Sequence, residues 1–273
     1  MKHLHLFSLD FPLIFRLFCA LPIALALQAA PAHAALDHPA CERLKASRVL
    51  RAQTPVDCTR LTVVRFPYVD FSGAMHDDGE VMVLDAVAPE VGQLFHALHQ
   101  RRFPLARARL IDHYGGDDEA SMRDNNTSAF NQRPVTGGGP PSLHAYGLAI
   151  DINPVQNPFV QPGETGAVRV SPAAGVAYLN RRTGRPGKPP RAGMAEDLIG
   201  LFAAAGFTVW GGDWDTPLDY QHFQFHRELA QRLAALPAPD ARQHYLQKIK
   251  AYRACLGQHR GKPGTACAFN QSP

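Results

Sequence analysis

Apolar and polar residues alternate most sharply over Leu148-Ala149-Ile150-Asp151-Ile152-Asn153, with Leu148, Ile150 and Ile152 on one side. A period of two predicts a half-buried strand whose apolar side meets a core. Asp151 then points the other way, beside the small Ala149, and His144 lies before Gly147 in the turn that enters the strand. A second stretch, Asp219-Tyr220-Gln221-His222-Phe223-Gln224-Phe225, alternates in the same manner, with Phe223 and Phe225 on one face and His222 and Gln224 on the other. If the two strands are neighbours in one sheet, His222 faces the same cleft as Asp151. Asp219 is then expected in the turn just before the second strand.

Similar patterning predicts strands over 62–71, 80–85, 106–112 and 207–210, with a turn at 75–78. Val91, Leu94, Phe95 and Leu98 recur at helical spacing and predict a helix over 89–102, with Pro89 near its start. Further helices are expected over 194–205, 229–236 and 241–252, and a short one between 36 and the Cys-bounded loop that follows. Residues 117–139 are polar and aperiodic, which predicts a long loop folded over something. Residues 157–190 are rich in Pro, Gly and Arg and read as a surface loop or flap.

Composition narrows the class. The chain has 273 residues, 45% apolar and 19% charged, which suits a globular protein of one domain with extensions. The net charge of +4 is scattered, with no Lys/Arg block interleaved with aromatics, so nucleic-acid binding is not expected. Residues 1–34 have the form of a signal peptide: Lys2 and Arg16, an apolar run over 17–30, then Ala32-His33-Ala34 at the cleavage positions. The apolar run is short for a membrane span. An exported protein follows, periplasmic or cell-wall associated, with no stable membrane insertion once the leader is removed. Cys41, Cys58, Cys255 and Cys267 remain after the leader. Four cysteines allow two disulfides in three connectivities, the local pairs Cys41–Cys58 and Cys255–Cys267 being the simplest. A four-cysteine zinc site is disfavoured because no C-x-x-C occurs.

Two histidines and a carboxylate, His144, His222 and Asp151, suit a zinc ion and leave a fourth position for water, the arrangement of a catalytic site. Such a metal lowers the pKa of the water and polarises a carbonyl. Asp219, one short step from His222, is placed to carry the water's proton to a leaving group. There is no H-E-x-x-H, which argues against a thermolysin-like site. His226, four residues after His222, reads as too far along the strand to join the same ion.

These residues resemble a known group. Ser142-x-His144-x-x-Gly147-x-Ala149-x-Asp151, followed by Asp219-x-x-His222, resembles the zinc D-alanyl-D-alanine carboxypeptidases of the VanY type, relatives of the L-alanyl-D-glutamate endopeptidases. The resemblance implies His144, Asp151 and His222 as zinc ligands and Asp219 as the acid/base, a place where many members carry Glu. It implies Ser142 as a substrate contact and Arg133 as the holder of the substrate's carboxylate, a group that a guanidinium pairs with through two parallel hydrogen bonds. It also implies an α+β fold with a small central antiparallel sheet and helices on one side, a scaffold shared with hedgehog domains. The expected division is a 35–79 extension with a disulfide-bounded loop, an 80–236 peptidase domain, and a 237–273 helix with a Cys-bounded tail. The implied activity is a D,D-carboxypeptidase acting on peptidoglycan stem peptides. An L-Ala–D-Glu or cross-link endopeptidase is the alternative in the same chemistry. A non-catalytic, zinc-stabilised wall-binding module is the alternative in another class, and Asp219 argues against it.

Overall fold

The computed structural model describes residues 33–47, 49–51, 54–163, 166–258 and Cys267. Most of the expected leader lies outside these residues. His33 and Ala34 belong to a strand, β1 (His33–Ala35), so the cleavage point expected after Ala34 falls within it. The chain continues through α1 (His38–Ala46), β2 (Leu61–Val69), β3 (Met75–Leu84), α2 (Ala88–Gln100), β4 (Arg107–Ala108), α3 (Asp118–Arg123) and β5 (Asn126–Thr127). Then follow β6 (Ala149–Asp151), β7 (Phe159–Pro162), β8 (Val168–Ser171), α4 (Ile199–Ala204), β9 (Val209–Trp210), β10 (Leu218–Asp219), β11 (His222–Gln224), α5 (Arg227–Ala235) and α6 (Ala238–Gln258).

The fold is mixed α+β, built from small antiparallel sheets and several helices. Antiparallel pairing is divided among three three-stranded sheets, β1-β2-β3, β10-β7-β8 and β6-β11-β9, with β4 and β5 as a parallel pair. The core joins them. Helix α2 lays Val91, Leu94, Phe95 and Leu98 against β2, where Phe95 stacks on Phe66 with centroids 3.9 Å apart. Phe223 stacks on Phe202 at 4.1 Å, and Phe225 meets Phe207 edge-on and Tyr245 of α6. Both local disulfides form, Cys41–Cys58 and Cys255–Cys267. Among the described residues no helix is long and apolar enough to cross a membrane.

Several expectations are corrected. The turn placed at 75–78 is part of β3; the reversal occurs instead at 70–74, where Asp70 Oδ1 accepts from the backbone of Ser72 and Ala74. The boundary expected at residue 80 therefore falls inside β3. That strand also supports the site, since Leu84 donates to Gly147 and Phe130 donates to Met82. Of the strand expected over 106–112 only β4 remains, followed by a 3-10 turn over Ile111–Tyr114. The flap contains the β7–β8 hairpin, which β10 extends. Its alternation is too brief, and too interrupted by Pro and Gly, to show as periodicity. The loop expected over 117–139 opens with α3; residues 126–132 are then buried, with Ser128 bridging to Asp151 of β6, and 136–139 are exposed.

Candidate metal centre

His144, Asp151 and His222 come together because of one register and one turn. Strands β6 and β11 are antiparallel, with His222 opposite Asp151 and Phe223 opposite Ile150. The apolar alternates Leu148, Ile150 and Phe223 are fully buried on the core side, so both polar side chains must project from the other. That other side is covered too. Ser128 exchanges both backbone hydrogen bonds with Asp151, and the half-buried strand read from the sequence is in fact buried on both faces.

His144 sits in a 3-10 turn, Leu143–Tyr146, that Ser142 caps by accepting from the His144 backbone N–H and Gly147 ends in the left-handed region at φ 66°. A Cβ at Gly147 would stand 2.6 Å from the Leu84 nitrogen, so glycine is required there by both dihedral and space.

The three side chains are almost fully enclosed, at 2% exposure for His144, 4% for Asp151 and 6% for His222. Their ligand atoms lie within 4.8 Å of one another. His144 Nε2 is 3.1 Å from His222 Nδ1 and 3.2 Å from Asp151 Oδ2, while His222 Nδ1 is 2.9 Å from Asp151 Oδ1. The outward nitrogens are already engaged: His144 Nδ1 donates to Ala129 O at 2.5 Å, and His222 Nε2 to Gln224 Oε1 at 2.8 Å. In neutral imidazoles that leaves lone pairs on the two inward nitrogens, facing each other and a carboxylate. A cluster of acceptors this close and this dry needs a cation, either protons or a metal. The donors fit a metal: bonds of 2.0–2.1 Å to zinc make a tetrahedral edge of roughly 3.3 Å, close to the observed spacings. The fixed outer nitrogens are the usual second contact of a ligating histidine.

Protonation follows the same geometry. Burial works against a charged His222, but the hydrogen bond and charge of Asp151, with Asp219 and Gln224 adding, raise its pKa to about 9. Burial likewise opposes ionisation of Asp151, yet the two histidines outweigh it and hold the carboxyl well below the usual carboxylate range. At neutral pH the metal-free site therefore holds a proton on His222, which a metal must displace. Metal affinity is expected to rise about tenfold per pH unit between pH 7 and 8, with close to one proton released per ion. Titration calorimetry in buffers of different ionisation enthalpy measures both, and a pH-independent affinity would contradict this arrangement.

Asp219 is not in a turn entering the His222 strand. It ends β10, paired with Phe159 of β7, and the chain crosses to the other sheet at Tyr220 and Gln221. The crossing is held by Tyr220 N donating to Pro158 O and Ile152 N to Gln221 O, with Trp210 Nε1 donating to Tyr220 O. Gly211 lets the Asp219 backbone approach, since a Cβ there would stand 2.5 Å from the Asp219 carbonyl oxygen. Asp219 Oδ1 is buried with no hydrogen-bond partner. Burial pushes its pKa up to about 6, moderated by His222, raised further by Asp151 and lowered by His144 and Arg133. Its carboxyl thus feels the charges of His222, Asp151 and His144.

Arg133 forms an ion pair with Asp118 at 2.9 Å, and its Nε is buried without a partner. It adjoins the cluster through the backbone, since Ser142 N donates to Arg133 O and Asn131 N to His144 O. His226 caps the start of α5, is half-buried and is not one of the clustered ligand residues. Sequence reasoning missed Ala129, a backbone carbonyl that no residue pattern announces. Gln224 was legible, two residues from His222 on the same face. The Trp214 ring centroid lies 5.5 Å from that of His222.

No curated protein and no solved structure matches the chain. Residues 136–225, which contain His144, Asp151, Asp219 and His222, match the family model described as D-alanyl-D-alanine carboxypeptidase, a similarity that supports a hydrolase of the peptidase kind.

Proposed function

We propose that this chain is an exported zinc peptidase acting on peptidoglycan stem peptides, as a D,D-carboxypeptidase that removes a terminal D-alanine. The observation that carries the reading is the enclosed His144–Asp151–His222 cluster, whose charges act on Asp219, an acid with one buried oxygen, Oδ1, that has no hydrogen-bond partner. A structural cluster has no use for an unpaired buried acid, whereas a hydrolase needs one with a pKa near neutrality.

Zinc, when bound, supplies a Lewis acid for the scissile carbonyl and makes water a nucleophile at neutral pH. His144, Asp151 and His222 hold the ion. Asp219 accepts the proton of the attacking water and returns it to the leaving amine. Arg133, its guanidinium steadied by Asp118, pairs with the free C-terminal carboxylate of the substrate. Ser142 holds the His144 turn and, in this reading, contacts the same end of the substrate. The leader-like residues 1–34 and the two disulfides support an exported, periplasmic or wall-associated location.

Mass spectrometry of digested peptidoglycan tests the reading. Pentapeptide stems are expected to lose one D-alanine, chelation to stop the loss, and zinc to restore it. Products cut between L-Ala and D-Glu would instead assign the endopeptidase, and no cleavage by zinc-loaded protein would overturn the peptidase reading.

A further inference from the structure

A cleft of about 440 Å³ opens by the turn that carries His144; the three ligand candidates themselves do not line it. Its walls include Arg51, Gln132, Arg133, Pro141 and Ala145, the last being the neighbour of His144. Two guanidiniums therefore border one cleft, and they differ in origin. Arg133 belongs to the segment that runs along β6. Arg51 comes from the N-terminal loop, closed by the Cys41–Cys58 disulfide.

Residues 49–51 of that loop are held in place. Val49 and Leu50 are buried, Leu50 N donates to Leu44 O, and Arg51 N donates to Gln132 Oε1 at 2.6 Å. The Arg51 backbone is thus tied to the residue next to Arg133, while its side chain stays exposed. Arg133 is partly neutralised by Asp118, but among the described residues no carboxylate pairs with Arg51. A fixed and uncompensated cation on a cleft wall suits an anion brought by the ligand.

We infer that Arg51 is a specificity residue: it reads a second carboxylate on the substrate, on a side chain upstream of the cleaved bond, while Arg133 takes the terminal one. The inference rests on the peptidase reading for the place of the terminal carboxylate. It makes the disulfide-closed N-terminal loop part of the substrate site, outside the stretch that matches the family model.

Calorimetric binding of synthetic peptides ending in D-Ala-D-Ala tests it, with the full chain carrying Asp219→Ala so that bound peptide is not consumed. The peptides form pairs, with glutamate or glutamine one or two residues before the D-Ala-D-Ala end. Glutamate is expected to bind about fivefold tighter than glutamine at one of these positions, less so at high salt. Adding Arg51→Ala is expected to erase that preference and leave the affinity for the glutamine peptides unchanged, while Arg51→Lys keeps part of it. Equal binding of every acid and amide pair overturns the inference, as does a preference that survives Arg51→Ala. Hydrolysis by the unsubstituted chain without any acid preference would leave the peptidase reading standing and remove this one. A preference without hydrolysis would remove the peptidase reading and leave Arg51 only as a carboxylate-binding residue.

Discussion

Asp219→Ala is expected to lower kcat on a D-Ala-D-Ala peptide by about 10²–10⁴-fold while leaving one metal ion per chain. Asp219 is outside the cluster of ligand atoms, so removing it takes away no metal donor. In the proposed reaction, its loss removes the group that carries the proton between water and leaving amine. The fold should tolerate the change, because Asp219 Oδ1 makes no hydrogen bond and deleting an unsatisfied buried carboxylate relieves a desolvation cost. Asp219→Glu is expected to retain more activity than alanine, since the carboxylate survives with one more methylene of reach. Metal content by atomic emission and kcat on the same preparation check the prediction. A variant that loses metal and activity together would make Asp219 a ligand, and one with full activity would remove it from the chemistry.

Asp151→Ala is expected to abolish metal retention and to destabilise the metal-free protein as well. Two histidines in a dry site are a poor zinc ligand set, and Asp151 is the anion that both of them face. Removing one partner of a buried pair costs about 3 kcal/mol, limited here because His222 can shed its proton. The pH dependence is specific. His222 has a folded pKa raised to about 9, so its share of stability is complete below the ordinary histidine value of about 6.5 and is lost as pH rises through 9. Asp151 has a depressed pKa, so its share is present above about 4 and is lost as pH falls further. Urea unfolding of the chelated proteins should show the largest difference between wild type and Asp151→Ala from about pH 4 to 6.5, shrinking towards pH 9. A difference that grows with pH would mean that Asp151 and His222 do not form this pair.

The three ligand candidates were readable before any coordinates because each constraint is local. Alternation in 148–153 and 219–225 assigns faces, and two strands with apolar sides on one core must turn His222 and Asp151 to the same side. The helix under β2 was readable for the same reason, since Val91, Leu94, Phe95 and Leu98 repeat at helical spacing. Shorter elements were not. The β7–β8 hairpin and the break at Tyr220 and Gln221 have too few residues for a period to show, and long-range pairing determines them.

The sequence by itself determined which side chains are able to bind a cation and which face each of them shares, because side-chain direction along a strand follows from the backbone alone. Only the tertiary structure decided that the site is buried on both faces and that Ala129 and Gln224 orient the histidines. It alone decided that Asp219 lies in a different sheet from His222, and that Arg51 and Arg133 line one cleft. Those facts depend on contacts between segments tens of residues apart, and no local pattern encodes a distance across the chain.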